Sequence, residues 1–452
     1  MSIRPTYTAT CRGTARDKSP SDEVTGGSLE MPVVTTLDNG LCLVVTPIAH
    51  ARSVSVTFYL RAGSRYEKDA DAGLSHFVEH LCFKGTERRP RPIDLSVEID
   101  EVGGSINAAT NNELTSYYAK VTPEHLERVL DVLSDMLRNS LYLGPEIERE
   151  RAVILEELGA VEDAPDELAG VALDALLWPD QPLGRDIAGT PASVEAIAPE
   201  RLRDYYRCQY VANAAVLSIA GAIDVTQATQ LARSFVEDWE SGSPSDWIRV
   251  SEPEGTPRVR LTRKETEQAH VALGMRGLSA VDPDRYALGL LSIILGEGMS
   301  SRLFNRLREE LALCYDVHTS VSHLLDTGSF GVYAGVDPQR TVEALAEVAR
   351  ELLRIREPVE TKELARAQAL TRSRVQLRME DTRAVSALYG VQNALGLPMI
   401  TSEETIERYE AVTIADVQRV AERVVNPDAL RLSVVGPFED GEPLETALWS
   451  LS

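Results

Sequence analysis

The chain has 452 residues, 43% of them hydrophobic and 26% charged, which is ample for two globular domains of about 200 residues each. Its 70 acidic against 46 basic residues give a net charge of −24, which repels nucleic acid and anionic membrane alike. No apolar run approaches the roughly 18–20 residues that span a bilayer. Five scattered cysteines without a CxxC pair (Cys11, Cys42, Cys82, Cys208, Cys314) argue against a disulfide framework and for a reducing compartment.

The N-terminal stretch, MSIRPTYTATCRGTARDKSPSDEVTGG, lacks an apolar signal core and reads as a disordered tail over 1–30, with Met31 as an alternative start. Its Arg-, Ser- and Thr-rich beginning has some character of an organellar transit peptide. The expected compartment is nonetheless the cytoplasm rather than the mitochondrial matrix. SVSVTFYL (53–60) alternates as a strand does, and GLSHFVEHLCF (73–83) has the apolar pattern of a buried helix. GGSINAATNNELTSYYAKV (103–121) suggests a turn and a strand. Two helical patterns follow, PEHLERVLDVLSDMLRNS (123–140) and PEIERERAVILEELGAVED (145–163), each with Pro near its start. AVLSIAG (215–221) closes the unit as a further strand.

The chain then repeats itself at an offset of 215. Tyr118, Ala119 and Val121 return as Tyr333, Ala334 and Val336, and LSIAG (217–221) returns as LSVVG (432–436). Arg61 maps to Arg276, and Glu195-Ala196 to Glu410-Ala411. The fold class is therefore α+β: two homologous domains from an internal duplication, each an antiparallel sheet packed with helices. The expected bounds are 31–240 and 258–452, joined by a Ser-, Pro- and acid-rich linker at 241–257.

The repeat isolates one motif. At the offset, His76, Glu79 and His80 become Leu291, Ile294 and Leu295, so the helix itself needs no such residues. Two histidines at i and i+4 project from one helical face, as two ligands of a tetrahedral zinc must. Glu79 lies near that face, where it could take a proton from the attacking water. A catalytic zinc usually has a third protein ligand, and ERERAVILEEL (148–158) is the candidate source. Glu150, Ile154 and Glu157 share one stripe there, with Glu156 about 100° away from Glu157. Glu150 and Glu157 become Ala365 and Arg372 in the second copy, which has lost the whole set.

HFVEH is the H-x-x-E-H signature of the inverzincins. The chain resembles the pitrilysin–insulysin family over about residues 32–440, most closely its short-chain, mitochondrial-processing-peptidase-like branch. The resemblance implies a zinc metalloendopeptidase with one zinc per chain, ligands His76, His80 and Glu157, and Glu79 as catalytic base. It also implies that Glu150 supports the site, that Asn107 and Ala108 lie on a strand pairing with extended peptide, and that Arg308 and Tyr315 grip the substrate backbone. Glu113 and Tyr117 could equally belong to that peptide-facing strand or to the core. LGEGMSS (295–301) is a short glycine-bearing loop that by itself argues for nothing. In such short-chain families the Arg–Tyr pair serves the zinc of the opposite half of a clamshell, which implies a homodimer whose sites are completed in trans. Two other functions compete: a non-catalytic core or assembly subunit of a larger complex, and a zinc hydrolase of non-peptide amides.

Overall fold

The computed structural model describes residues 31–252 and 257–449. The expected N-terminal tail with Cys11, and residues 253–256 of the expected linker, lie outside the described residues. Six strands form the first sheet: β1 (Val33–Thr36), β2 (Cys42–Pro47), β3 (Val54–Leu60), β4 (Ser105–Thr110), β5 (Thr115–Val121) and β6 (Ala215–Gly221). Five form the second: β7 (Val259–Arg263), β8 (Ala269–Arg276), β9 (Cys314–His323), β10 (Gly328–Val336) and β11 (Arg431–Gly436). Their orders are β1-β2-β6-β3-β5-β4 and β7-β11-β8-β10-β9. Removing β1 and shifting by 215 superposes one order on the other, so the duplication is one of topology. Both sheets are antiparallel except for one parallel pair each, β2 with β6 and β7 with β11, so they are mixed rather than purely antiparallel.

The elements follow from local pattern. Every residue of β3 is buried, as a strand covered on both faces requires, whereas β5 alternates between buried and half-buried. Helix Leu126–Asn139 buries Val129, Leu130, Leu133, Met136 and Leu137 along one face. Its sister Thr341–Arg354 is displaced by the same offset at both ends. The edge hairpin departs from the repeat, because β4 would map onto 320–325 while β9 runs from Cys314 to His323.

The packing does not divide at the linker. Helix Pro165–Leu177, from the first copy, lies on β8 and β11 of the second sheet. Ala169, Leu173 and Leu177 there meet Ala272 and Val435. In return, helix Thr382–Ala394 from the second copy lies on β3 and β6, where Val385 and Tyr389 join Val44, Tyr59 and Val216. The helix comes so close that a Cβ on Gly390 would run into the Tyr59 ring. Arg65, 1% exposed, ties the halves at a second point. Its guanidinium pairs with Glu113 and Asp326, each at 2.7 Å, and donates to the carbonyl of Ile248 in the linker.

Candidate active site

The histidines sit on helix Leu74–Cys82, which is held from outside its own turn. Its N-cap is Gly73, at φ +92°, where a Cβ would collide with the Ala188 backbone. The buried carboxylate of Glu67 accepts hydrogen bonds from the amides of Gly73 (2.9 Å) and Ser75 (2.6 Å). Burial pushes Glu67 up to about 7, against the pull of these hydrogen bonds. Leu74, Phe77, Val78 and Leu81 fill the core, leaving His76 and His80 facing helix Gly144–Asp163.

There the two helices bring three donors together. His76 Nε2 and His80 Nε2 lie 3.2 Å apart, and Glu157 Oε2 lies 3.8 Å and 3.7 Å from them. Tetrahedral zinc with bonds of about 2.0–2.1 Å would space its ligand atoms by about 3.3 Å. The three therefore already stand within about half an ångström of the spacing zinc asks for. Two neutral imidazole nitrogens at this distance also repel unless a cation or proton lies between them, so the donor set fits the metal. Among the described residues, this is the one group of three His, Cys, Asp or Glu side chains converging so closely, and Glu156 is not in it.

The surroundings prepare the donors. His80 Nδ1 donates to Glu150 Oε2 at 3.1 Å, which leaves its Nε2 lone pair to face the cluster. Lys84 Nζ holds the other oxygen of Glu150 at 2.8 Å. Burial would raise Glu150, but His80 and Lys84 outweigh it and keep the carboxylate low. Burial would lower His80, yet the bond to Glu150 and the charge of Glu157 lift it instead. His76 Nδ1 has no such partner among the described residues, and burial, reinforced by His80, brings the ring down to about 4, so it is neutral at physiological pH. Glu79 is buried at 9% exposure; burial raises it while the Thr110 hydroxyl, donating to Oε2 at 2.5 Å, opposes the rise. We expect Glu157→Ala to lose bound zinc and Glu156→Ala to keep it, and Glu150→Gln to weaken zinc affinity by about 10- to 100-fold, as chelator competition would measure.

Asn107 and Ala108 lie on β4, whose one strand partner among the described residues is β5, so none of these strands pairs with its outer edge from Ser105 to Thr110. Asn107 is exposed, and its side-chain oxygen accepts from the Ala108 amide at 2.8 Å, so a peptide using that amide must displace it. The other two residues of this stretch lie elsewhere. Glu113 belongs to the Arg65 node between the halves, and Tyr117 is wholly buried, its hydroxyl 2.8 Å from that of Tyr210.

Two backbone irregularities bring Arg308 and Tyr315 together. Arg308 rides a π-helical segment, Phe304–Glu310. Tyr315 is the extra residue of a β-bulge, since Val336 pairs with Cys314 while Gly335 pairs with Asp316. The guanidinium stacks 5.1 Å from the Tyr315 ring and 4.9 Å from Phe304, and the tyrosine is 73% exposed. Arg308 forms no ion pair among the described residues. Nor does any hydrogen bond, ion pair or ring contact among them link this pair to His76, Glu79, His80 or Glu157.

Thr110 and Glu67 escape sequence reasoning. Each acts across the fold, Thr110 from a strand onto a helix and Glu67 onto amides six and eight residues ahead, where no local capping pattern exists.

Residues 43–191 match the family described as insulinase (peptidase family M16), and residues 196–371 match the peptidase M16 inactive domain. An uncharacterized zinc protease of Streptomyces coelicolor is 36% identical over 417 residues, covering 90% of each chain. A probable mitochondrial-processing peptidase subunit beta of Arabidopsis thaliana is 32% identical over 419 residues, 90% of this chain and 78% of that one. The fold is shared with the crystal structure of a protease from Helicobacter pylori, at a TM-score of 0.84 and 21% identity over 91% of this chain and all of that one.

Proposed function

The chain belongs to peptidase family M16, the insulinase family, and on that premise we propose that it is a zinc metalloendopeptidase cleaving extended peptides or unfolded small proteins. The observation that carries this reading is the convergence of His76, His80 and Glu157 beside a buried Glu79. A zinc ion held by those three would polarise the scissile carbonyl and acidify the attacking water. Glu79 takes that water's proton on a carboxylate oxygen and returns it to the leaving amine. Glu150 fixes the tautomer of His80. The open edge of β4 binds the substrate backbone by strand addition, with Asn107 and Ala108 in contact, which gives affinity with little sequence demand. A non-peptide amide would make no use of such an edge.

Arg308 and Tyr315 bind substrate backbone near the scissile bond and stabilise its developing oxyanion. That no hydrogen bond, ion pair or ring contact among the described residues joins them to the histidine cluster supports a site completed by a second copy, and the working unit of this reading is a homodimer. In this arrangement the zinc half spans 31–240 and the Arg–Tyr half 258–452. No helix among the described residues is long and apolar enough to cross a membrane. The working compartment we propose is the cytoplasm.

The competing reading, a non-catalytic subunit, draws on the match of residues 196–371 to an inactive domain. That segment belongs mostly to the copy without zinc donors, and the donors of the first copy are complete. The test pairs elemental analysis with cleavage of an unstructured fluorogenic peptide. One zinc per chain with zinc-dependent cleavage is expected, and a metal-free, inert protein would establish the competing reading.

A further inference from the structure

Thr110 closes β4, and its hydroxyl is the one side-chain hydrogen-bond partner of Glu79 among the described residues. It is itself held from behind. Thr110 pairs with Thr115 across the hairpin, their hydroxyl oxygens 3.1 Å apart, and the Thr115 hydroxyl lies 3.2 Å from the carbonyl of Ala62. An ionised carboxylate only accepts, so the single Thr110 proton is committed to Glu79 Oε2. Any bond between the two threonines must then be donated by Thr115. Thr115 has one hydroxyl proton of its own, so it holds either Thr110 or the Ala62 carbonyl, and Glu79 Oε2 is tied to the sheet through Thr110 itself, whose backbone pairs with Thr115 at the end of β4.

We propose that Thr110 is the positioning residue for the catalytic base. By holding Oε2 it leaves Oε1 for the attacking water, and it fixes the base to the end of the strand on which substrate lies. This rests on the reading of Glu79 as general base. Its consequence is that peptide added to β4 docks against the element that aims the base, so backbone recognition and proton transfer share one rigid part. A displacement of about 1 Å at such a group costs on the order of 10²-fold in rate.

The test compares wild type with Thr110→Val, which keeps shape and strand preference but removes the donor, and with Thr110→Ser, which restores it. Thr110→Ala runs in parallel should valine impair folding. We expect the valine variant to lose about 10- to 100-fold in kcat, with KM within about threefold and one zinc per chain retained. Serine should recover to within about threefold of wild type. Crystal structures should show the Glu79 carboxylate leaving its position in the valine variant and keeping it in the serine variant. A raised KM with unchanged kcat would overturn the proposal and leave Thr110 as part of the strand edge alone. Lost zinc would overturn it in favour of support for the metal site, and unchanged kinetics would overturn it outright. Should wild type cleave no peptide, the peptidase reading fails, and the Glu79 position in the two variant structures still decides whether Thr110 places that carboxylate.

Discussion

Glu79→Gln is expected to retain zinc and fold while peptide cleavage falls by about 10²- to 10⁴-fold. The substitution changes little in volume, and the amide oxygen can still accept from Thr110, so the helix and its neighbours have no reason to move. Glu79 is not among the three converging donors, so metal affinity does not depend on it. What is lost is the basic oxygen, since an amide does not take a proton from water near neutral pH. Zinc content, thermal melting and turnover of an unstructured peptide, measured on one preparation, separate these effects. Activity above about a tenth of wild type would reject the role of the residue, because general-base removal is worth more than that.

The second large effect is a recovery. Glu79→Gln alone and Arg308→Ala/Tyr315→Ala alone should each be inactive, and mixing them should restore cleavage if the Arg–Tyr pair serves the partner's zinc. A heterodimer then carries one intact site, joining the zinc half of the second mutant to the Arg–Tyr half of the first. Random re-assortment of equal amounts puts about half the molecules in heterodimers, each with one of two sites, so activity should approach about a quarter of wild type. Subunit exchange must be demonstrated alongside, by mass tagging for example. Exchange without recovered cleavage would overturn the trans arrangement and leave the metal donors as they are.

Much of this was legible in the residues. The offset of 215 foresaw two sheets of matching strand order, because period-2 and period-3.6 patterns repeat with the sequence that encodes them. The helix exchange was not legible. The apolar face of Pro165–Leu177 reads the same whichever sheet it covers, since periodicity records that a face is buried and not against what. The histidine pair stood out through its loss in the second copy, and the stripe of Glu150 and Glu157 through helical spacing. Arg308 and Tyr315 were visible only through family resemblance. Nothing in their spacing announces a π-helical segment followed by a bulge, since these local irregularities re-aim a side chain without altering composition. Glu113, which the sequence leaves evenly between a peptide-facing strand and the core, belongs to the ion-pair node with Arg65, because its partners lie 48 and more residues away and leave no local pattern.

The exchanged helices also speak to how such a chain could arise. A single copy of the unit would leave open the sheet face that the other copy's helix now covers, with Tyr59 and Val216 exposed on one half or Ala272 and Val435 on the other. A one-copy ancestor could have closed that face only by lending its helix to a second molecule, as swapped dimers do. A tether between the two copies replaces an association that would depend on concentration with one that does not. Once joined, the copies no longer had to stay identical. One copy could lose the histidines and the glutamate, with leucines and isoleucine in the places of His76, Glu79 and His80, while the other kept them. The asymmetry of the present site is what that release from symmetry permits.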